Sequence, residues 1–547
     1  MPRHPFAVSF LATSLTLGAA TGATAFPAVS DSAFHYPPPS ATELARVKAE
    51  FRDAAARSAS ERSGQIFYLP AKYNMVGTRT GYCDGTTHIH GKFIKTNGTS
   101  HGVTWEYDTH IPIVLWGPGF VREGVRTEAP ATQQDLVPTY AHLMGTLPPE
   151  DATGRVLKEA LKPGAKHPKV ILTLVFDQAG EVYYRAHPGL TPNIDRLKRE
   201  GTYYTSARVT HLDAETGIGH TAIGTGAWPA QTGIPSNSLW MKGLGGERYS
   251  FWGENDTSPI FVNSPSLADL WLKKTHNKAM VAGYCYADRA VIGMIGHGSL
   301  FRGNKKPYGI FYDEKVGQLT TNEAFYTLPP YLKGLSPKPY LDKLTNGTGV
   351  WMQHPIEPKA QVRTTPAYAD FDGDNVVSLI EHEPWGTHGV TDLMFVTLKS
   401  TDAGGHAYGH ESDEAADILA DQDKQVGRIV KALADKVGAD NVLVALTADH
   451  GSTPLQELSH GALLPETRLL GDLNRRFDKV KNGADLFEYA SATQLFLNEA
   501  EMKRNHLTYE QVKKALLGYK FSGKPFFVDA VTRDEAEALA RKKGWAE

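Results

Sequence analysis

Six short apolar runs recur along the chain, and they constrain the fold more than any other feature of the sequence. Each run has the length and composition of a buried strand, and amphipathic helical patterns lie between the runs. Strands that alternate with helices favour an α/β fold, here a three-layer sandwich around a mainly parallel central sheet. The predicted strands cover residues 65–69, 111–116, 170–176, 280–286, 393–398 and 442–447. The clearest predicted helices cover residues 42–56, 193–200 and 414–437.

The first 25 residues have the pattern of a secretory signal peptide. A charged start is followed by an apolar stretch over 6–20 and by the small residues Ala23-Thr24-Ala25, where we expect cleavage after about Ala25. The alternative is a weak membrane anchor, but the apolar stretch is short and interrupted, and no later run reaches about 18 apolar residues. We therefore predict a periplasmic or secreted protein without a membrane span, in which residues 26–41 form a loose tail.

Composition excludes several classes of protein. The chain has 57 Lys and Arg against 60 Asp and Glu, a net charge of −3, so disorder and a nucleic-acid partner are not expected. Two cysteines, Cys83 and Cys285, are too few for a disulfide scaffold or a four-cysteine zinc site. Export would permit a disulfide between them, and two free thiols are an equal alternative. The oligomeric state and the physiological substrate do not follow from the sequence.

Carboxylates and histidines gather where the predicted strands end. Because the carboxyl ends of parallel strands meet at one edge of a sheet, these side chains are expected to converge. Taken singly, each could be a helix cap or an ordinary turn residue. Together, three aspartates and three histidines offer the oxygen and nitrogen ligands that a pair of zinc ions needs. The six residues are His101, Asp177, Asp402, His406, Asp449 and His450.

A candidate nucleophile, Thr216, lies in a glycine-containing run over 213–221. The small residues after it allow a ligand to approach the backbone closely. If a helix begins here, its free N–H groups and dipole favour an alkoxide and a phosphoryl group. The alternative is a glycine-rich turn that merely precedes a helix.

These residues together resemble the alkaline phosphatase superfamily. The nearest branch holds the phosphate-irrepressible alkaline phosphatases with a threonine nucleophile and the nucleotide pyrophosphatase/phosphodiesterases. The resemblance covers nearly the whole chain after the signal peptide and implies a cap-like insertion around 235–390. The matching stretches are 100–102, 107–112, 170–177, 192–197, 216–237, 287–289, 401–409 and 447–451.

The resemblance implies a two-zinc site with Thr216 as nucleophile and metal ligand. One zinc would be bound by His101, Asp402 and His406, and the other by Asp177, Asp449 and His450 together with Thr216. A covalent phosphothreonine would form and then be hydrolysed.

Asn237 and Arg289 match residues that contact the phosphoryl group in such enzymes, but Ala287 replaces the lysine of the usual Lys-x-Arg pair. A dianionic monoester gains more from each cation than a monoanionic diester, so this loss weakens the expectation of a monoesterase. Lys242 or a hydroxyl group could compensate.

The order of the motifs departs from the family. The segment with Ser100-His101-Gly102 normally follows the Asp-His-Gly motif near the C-terminus, but here it precedes every other motif. We therefore predict a circular permutation, in which 42–165 corresponds to the usual C-terminal part of the catalytic domain and 166–547 to its main part. The alternative is that 42–165 forms a separate domain.

The predicted activity is that of an exported, zinc-dependent phosphomonoesterase, an alkaline phosphatase acting on a small-molecule phosphate ester. A phosphodiesterase or nucleotide pyrophosphatase at the same site is the main alternative, and a non-catalytic metal-binding exported protein is a further one. A sulfatase is disfavoured because no Cys/Ser-x-Pro-x-Arg run occurs, and a manganese-dependent mutase would be cytoplasmic with a serine nucleophile. His88 and His90 belong either to a loop or to an extra metal site.

Overall fold

A computed structural model describes residues 34–77, 84–241, 246–252, 257–302 and 306–546. The predicted signal peptide, Cys83 and Lys242 lie outside these residues. Cys285 is buried and forms no disulfide within the described ranges. None of the helices in the described ranges is long and apolar enough to cross a membrane.

The described ranges contain 23 strands, numbered in chain order. They are β1 (Ile66–Pro70), β2 (Met75–Val76), β3 (Thr86–Ile89), β4 (Lys92–Lys95), β5 (Ile113–Trp116), β6 (Val125–Thr127), β7 (Val170–Phe176), β8 (Thr202–Tyr204), β9 (Ser238–Met241), β10 (Gly246–Tyr249), β11 (Val281–Tyr284), β12 (Tyr308–Asp313), β13 (Gln318–Thr320), β14 (Val350–Trp351), β15 (His354–Pro355), β16 (Asp392–Leu398), β17 (Val442–Ala448), β18 (Leu463–Leu464), β19 (Phe487–Ala490), β20 (Gln494–Leu497), β21 (Lys520–Phe521), β22 (Lys524–Pro525) and β23 (Phe527–Thr532).

The same ranges contain 19 α-helices. They are α1 (Ala41–Ser58), α2 (Glu106–Thr109), α3 (Leu136–Leu143), α4 (Glu181–Ala186), α5 (Pro192–Glu200), α6 (Thr216–Thr225), α7 (Pro229–Thr232), α8 (Leu267–Lys274), α9 (Asp288–Ile295), α10 (Ser299–Arg302), α11 (Lys338–Leu344), α12 (Pro366–His382), α13 (Ser400–Tyr408), α14 (Asp413–Val437), α15 (Gln456–Ser459), α16 (Glu466–Phe477), α17 (Glu499–Arg504), α18 (Tyr509–Leu517) and α19 (Arg533–Lys542).

A nine-stranded sheet forms the centre of the molecule, in the order β13-β12-β11-β16-β7-β17-β5-β8-β6. The five strands from β12 to β17 in this order run parallel, whereas β5 is antiparallel to both of its neighbours. Every residue of β7, β16 and β17 is buried, as expected where both faces of a sheet are covered. The prediction of an α/β fold with a mainly parallel sheet is confirmed.

One predicted strand lies elsewhere. The run predicted over 65–69 forms β1, which pairs antiparallel with β20 and β23 in a separate four-stranded sheet. Every residue of β1 is buried, just as in the central strands, so the apolar pattern alone did not distinguish the two sheets.

The segment 42–165 shares its hydrophobic cores with the rest of the chain. Strand β5 lies between β17 and β8, and β1 lies in the second sheet. Helix α1 packs against α19 near the C-terminus, where Lys543 forms an ion pair with Asp53 and the Arg57 guanidinium lies 4.2 Å from the ring centroid of Trp545. The first and last helices of the described chain are therefore adjacent.

Candidate active site

Three neighbouring strands end at the same level and deliver the first polar residues of the site. The register pairs Phe176 of β7 with Leu398 of β16 on one side and with Ala448 of β17 on the other. The residues that follow these three are Asp177, Lys399 and Asp449. Because the strands are parallel and in register, the three side chains leave the sheet side by side at its carboxyl edge.

The six predicted metal ligands come together in two adjoining clusters. In the first, Asp402 Oδ1 lies 3.6 Å from His101 Nε2 and 3.4 Å from His406 Nε2. In the second, His450 Nε2 lies 3.7 Å from Asp177 Oδ1 and 3.2 Å from Asp449 Oδ2. The rings of His101 and His450 stack with their centroids 3.7 Å apart, so the two clusters are in contact.

Backbone carbonyls orient all three histidines. His101 Nδ1 lies 2.6 Å from the Ala214 carbonyl oxygen, and the Nδ1 atoms of His406 and His450 lie 3.0 Å from those of Thr99 and Gly451. A carbonyl oxygen can only accept, so Nδ1 is the protonated nitrogen and donates in each case. When the imidazoles are neutral, as metal ligation requires, this arrangement gives each of them an Nε2 lone pair that faces the carboxylates.

Several buried ligand atoms of the site have no hydrogen-bond partner among the described residues. They are Asp177 Oδ1, Asp402 Oδ1, Asp449 Oδ2 and His450 Nε2. A buried polar atom without a partner costs about 1–3 kcal/mol, so four of them converging on one place call for a ligand. Carboxylate oxygens and imidazole nitrogens are metal ligands that suit zinc. The residues present therefore fit a metal centre.

The charges of the site shift the pKa values of its members in different directions. Burial, reinforced by the neighbouring His450, lowers the pKa of His101 to about 3. Burial also disfavours charge on His450, but the Asp449 carboxylate outweighs it and raises the His450 pKa to about 9. Burial alone would raise the pKa of Asp402, yet the Lys399 ammonium overcomes it and holds that pKa well below its ordinary value.

Thr216 is the first residue of α6, as expected of a nucleophile at a helix N-terminus, and it is buried beside the clusters. Lys399 Nζ donates to Thr216 Oγ1 over 3.1 Å. The glycine at 219 is required for close packing, because a Cβ there would lie 2.7 Å from the Asp449 carbonyl oxygen. The hydroxyl is therefore held within reach of the second cluster.

Asn237 and Arg289 lie at the same helix end. The backbone N–H of Gly217 donates to Asn237 Oδ1 over 2.8 Å, and a Cβ on Gly217 would lie 3.8 Å from Arg289 Cδ. Glu215 fixes Asn237 from behind by accepting its backbone N–H over 2.7 Å. An amide and a guanidinium thus flank the first turn of α6, where the helix dipole favours an anion.

Two residues of the site were not predicted from the sequence. His220 Nδ1 donates to the Thr216 carbonyl oxygen over 2.8 Å and lies 3.3 Å from Asp449 Oδ2, while its Nε2 lies 2.8 Å from Thr397 Oγ1. Because Nδ1 donates, His220 supports the site from behind and is not itself a ligand. The other is Lys399, whose ammonium lies 2.7 Å from Asp177 Oδ2 and 2.7 Å from Asp402 Oδ2.

Both omitted residues carried a sequence signal. His220 lies four residues after Thr216, one helical turn along α6, and Lys399 lies three residues before Asp402, directly after an apolar strand. Residues at these spacings share one side of a helical turn. Each of the two therefore lies one turn from a residue that the sequence analysis had already named as a candidate, Thr216 or Asp402.

A second group of histidines, away from the catalytic edge, is fully paired. Glu414 Oε1 lies 2.5 Å from His88 Nδ1 and 2.9 Å from His354 Nε2, and the remaining nitrogens of these rings face Gln353 and Asp84. Glu414 also accepts the backbone N–H of His88. Since no ligand atom of this group lacks a partner, we interpret it as an ion-pair node that ties β3 and β15 to α14. His90 lies beside it, stacked on Phe34.

The sequence profile of the type I phosphodiesterase / nucleotide pyrophosphatase family matches residues 171–543, more than half of the chain. The chain belongs to this family. It is therefore a phosphoric ester hydrolase, and the predicted membership of the alkaline phosphatase superfamily is confirmed.

Individual relatives agree with the family. Alkaline phosphatase PafA of Elizabethkingia meningoseptica is 25% identical over 402 residues, which cover 63% of this chain and 72% of the relative. Alkaline phosphatase PhoD of Zymomonas mobilis is 28% identical over 316 residues, which cover 53% of this chain and about half, 54%, of the relative. The crystal structure of wild-type alkaline phosphatase PafA has the same fold, with a TM-score of 0.52 and 22% identity over 64% of this chain and 76% of that one.

Proposed function

We propose that this protein is an exported, zinc-dependent phosphomonoesterase that works through a phosphothreonine on Thr216. The observation that carries the proposal is the convergence of six buried ligands, four of whose ligand atoms lack partners, around the hydroxyl of a threonine at a helix N-terminus. Relatives named alkaline phosphatase support the same activity.

Two zinc ions would be held by the two clusters. His101, Asp402 and His406 would bind one ion, and Asp177, Asp449, His450 and Thr216 would bind the other. When bound, the ions would lower the pKa of the threonine hydroxyl and offset negative charge that develops in the transition state. The protein's own contribution is to fix the ligands and to exclude bulk water by burial.

In the first chemical step, Thr216 Oγ1 attacks phosphorus, the ester bond breaks and the alcohol leaves. Asn237 and Arg289 hold the phosphoryl oxygens against the first turn of α6, and Lys399 donates to Thr216 Oγ1. In the second step, water attacks phosphorus, releases inorganic phosphate and restores the threonine. Lys399 Nζ is already 3.1 Å from Thr216 Oγ1, and Asn237 Oδ1 is hydrogen-bonded to the next residue, Gly217.

Phosphodiester hydrolysis at the same site is the second candidate, and Ala287 is the observation that favours it. At the position where monoesterase relatives carry a cation, this chain has Ala287, whose side chain is an uncharged methyl group and which is 5% exposed. A monoanionic diester depends less on that charge than a dianionic monoester does.

The deciding experiment compares kcat/KM for p-nitrophenyl phosphate and bis(p-nitrophenyl) phosphate on the zinc-loaded protein, with Thr216→Ala as control. A monoester-to-diester ratio well above one, together with loss of the monoesterase activity in the control, supports the proposal. A ratio below one identifies a phosphodiesterase. Absence of turnover of both esters, with zinc bound, leaves a non-catalytic metal-binding protein.

We also infer that the chain is a circular permutant exported after cleavage near Ala25. Support for the permutation comes from β5 and His101, which complete the central sheet and the first cluster from a segment that precedes the family's matched region, 171–543. The contact between α1 and α19 supports it further, because adjacent chain ends make a permutation easy. Sequencing the N-terminus of secreted protein tests the cleavage site.

A further inference from the structure

Lys399 is a buried cation beside Thr216, the proposed nucleophile. It follows β16, is 3% exposed, and its ammonium contacts two carboxylates and the threonine hydroxyl. We propose that Lys399 is a catalytic cation that supplies the charge missing at Ala287 and directs the site towards dianionic phosphoric monoesters. This inference rests on the proposed function, in which Thr216 is the nucleophile.

The contacts of the ammonium leave the metal-ligand atoms open. Lys399 Nζ binds Asp177 and Asp402 through their Oδ2 atoms, at 2.7 Å each. The Oδ1 atoms of the same carboxylates face the histidines and lack hydrogen-bond partners among the described residues. Lys399 and a metal at the histidines therefore use different oxygens, and the lysine can stay in place when the clusters bind zinc.

The third contact is what makes Lys399 more than a counter-ion. An ammonium has three N–H donors, and two of them pair with the carboxylates. The third is directed at Thr216 Oγ1 over 3.1 Å, the longest of the three contacts. Because this oxygen becomes bonded to phosphorus in the proposed reaction, the same donor is within reach of the oxygen atoms around phosphorus. A cation at that point stabilises both the alkoxide and the charge of a transferring phosphoryl group.

Lys399 and Arg289 approach the first turn of α6 from different elements. Arg289 lies on α9 beside Gly217, whereas Lys399 comes from the end of β16 on the side of Asp177. Ala287, at the start of α9, adds no charge on the arginine side. Lys399 and Arg289 thus provide the two cations of a Lys-x-Arg pair, but the lysine follows β16 and does not stand two residues before the arginine.

The test uses Lys399→Met, with the half-buried Lys198→Met as matched control. Lys198 lies on α5, where its ammonium packs over the rings of Tyr184 and Tyr203 and not against the site. We expect Lys399→Met to lower kcat/KM for p-nitrophenyl phosphate by about 100- to 1,000-fold, and the diester value by about tenfold or less. Calorimetry should show a matching loss of affinity for inorganic phosphate. Zinc content, measured by mass spectrometry, should stay at the wild-type value.

A second variant separates loss of charge from loss of structure. Lys399→Met combined with Ala287→Lys returns a cation to the arginine side and should regain at least about tenfold of the lost monoester activity and phosphate affinity.

Three outcomes would overturn the inference: an equal loss for both esters, a fall in zinc content that accounts for the loss, or unchanged phosphate affinity. Failure of the underlying function is distinguishable, because it would appear in the unsubstituted protein as a monoester-to-diester ratio below one or as absence of turnover, or as full activity in Thr216→Ala.

Discussion

Replacing Gly217 by alanine should damage substrate binding without touching the nucleophile or a metal ligand. A Cβ at this position would lie 2.8 Å from Asn237 Oδ1 and 2.9 Å from Phe251 Cε2. Carbon contacts are normally about 3.5–4.0 Å, so the ring and the amide must each retreat by at least about 0.6 Å. The hydrogen bond from Gly217 N to Asn237 Oδ1, now 2.8 Å long, would then be lost.

The stability change follows from three opposing contributions. Overpacking costs about 1–3 kcal/mol and the lost hydrogen bond about 0.5–1.5 kcal/mol, whereas alanine in a helix recovers about 1 kcal/mol relative to glycine. We expect a net destabilisation of about 0.5–3.5 kcal/mol. Displacement of a positioning group by a fraction of an ångström to 1 Å should lower kcat/KM by up to about 100-fold.

The assay measures kcat/KM, the melting temperature and zinc content together. Gly471→Ala is the matched control, because Gly471 lies in α16 and none of the described residues has a heavy atom within 4 Å of the added Cβ. The control should be stabilised by up to about 1 kcal/mol and keep its activity. If Gly217→Ala behaves like the control, or if its loss of activity is explained by lost zinc, the argument from crowding at Asn237 is wrong.

Three further results are expected. In the metal-free protein the His450 pKa of about 9 means that the ring is protonated at pH 7. Zinc binding should therefore release about one proton, and zinc affinity should rise about tenfold per pH unit until pH 9. Calorimetry in buffers of different ionisation enthalpy measures the proton release, and a binding enthalpy that did not depend on the buffer would contradict the prediction. His220→Gln removes the donor shared by the Thr216 carbonyl and Asp449 and should weaken zinc binding by about 10- to 100-fold; unchanged affinity in a chelator competition would refute the supporting role. A chain rejoined as 166–547 followed by 42–165 should fold with a melting temperature within a few degrees of the original and equal kcat/KM, whereas an insoluble or inactive product would argue against the permutation.

Local patterns in the sequence were sufficient to select the six residues that cluster, but not to predict what surrounds them. Asp177 and Asp449 could be selected because each directly follows an apolar run, and strand ends are where an α/β sheet binds ligands. That Lys399 lies beside them depends on Phe176 pairing with both Leu398 and Ala448, a register between strands more than 200 residues apart. No periodicity within a single segment specifies such a pairing.

The same reason explains the misplaced strand. Residues Ile66–Pro70 are apolar and buried like a central strand, but their partners, β20 and β23, come more than 400 residues later. Burial on both faces is a property of the neighbours and is not encoded in the strand alone.

The position of β5 has a consequence for the order of events during synthesis. His101 and β5 are among the first parts of the chain to be made, yet β5 needs β17 on one side and β8 on the other, and His101 needs α13. Domains fold as their sequence becomes available, so this early segment must wait while more than 300 further residues are added. A metal shared by His101, Asp402 and His406 would then join this early segment to one that is made about 300 residues later. A chain that ended before β17 would lack both the completed sheet and the Asp449 and His450 side chains of the second cluster.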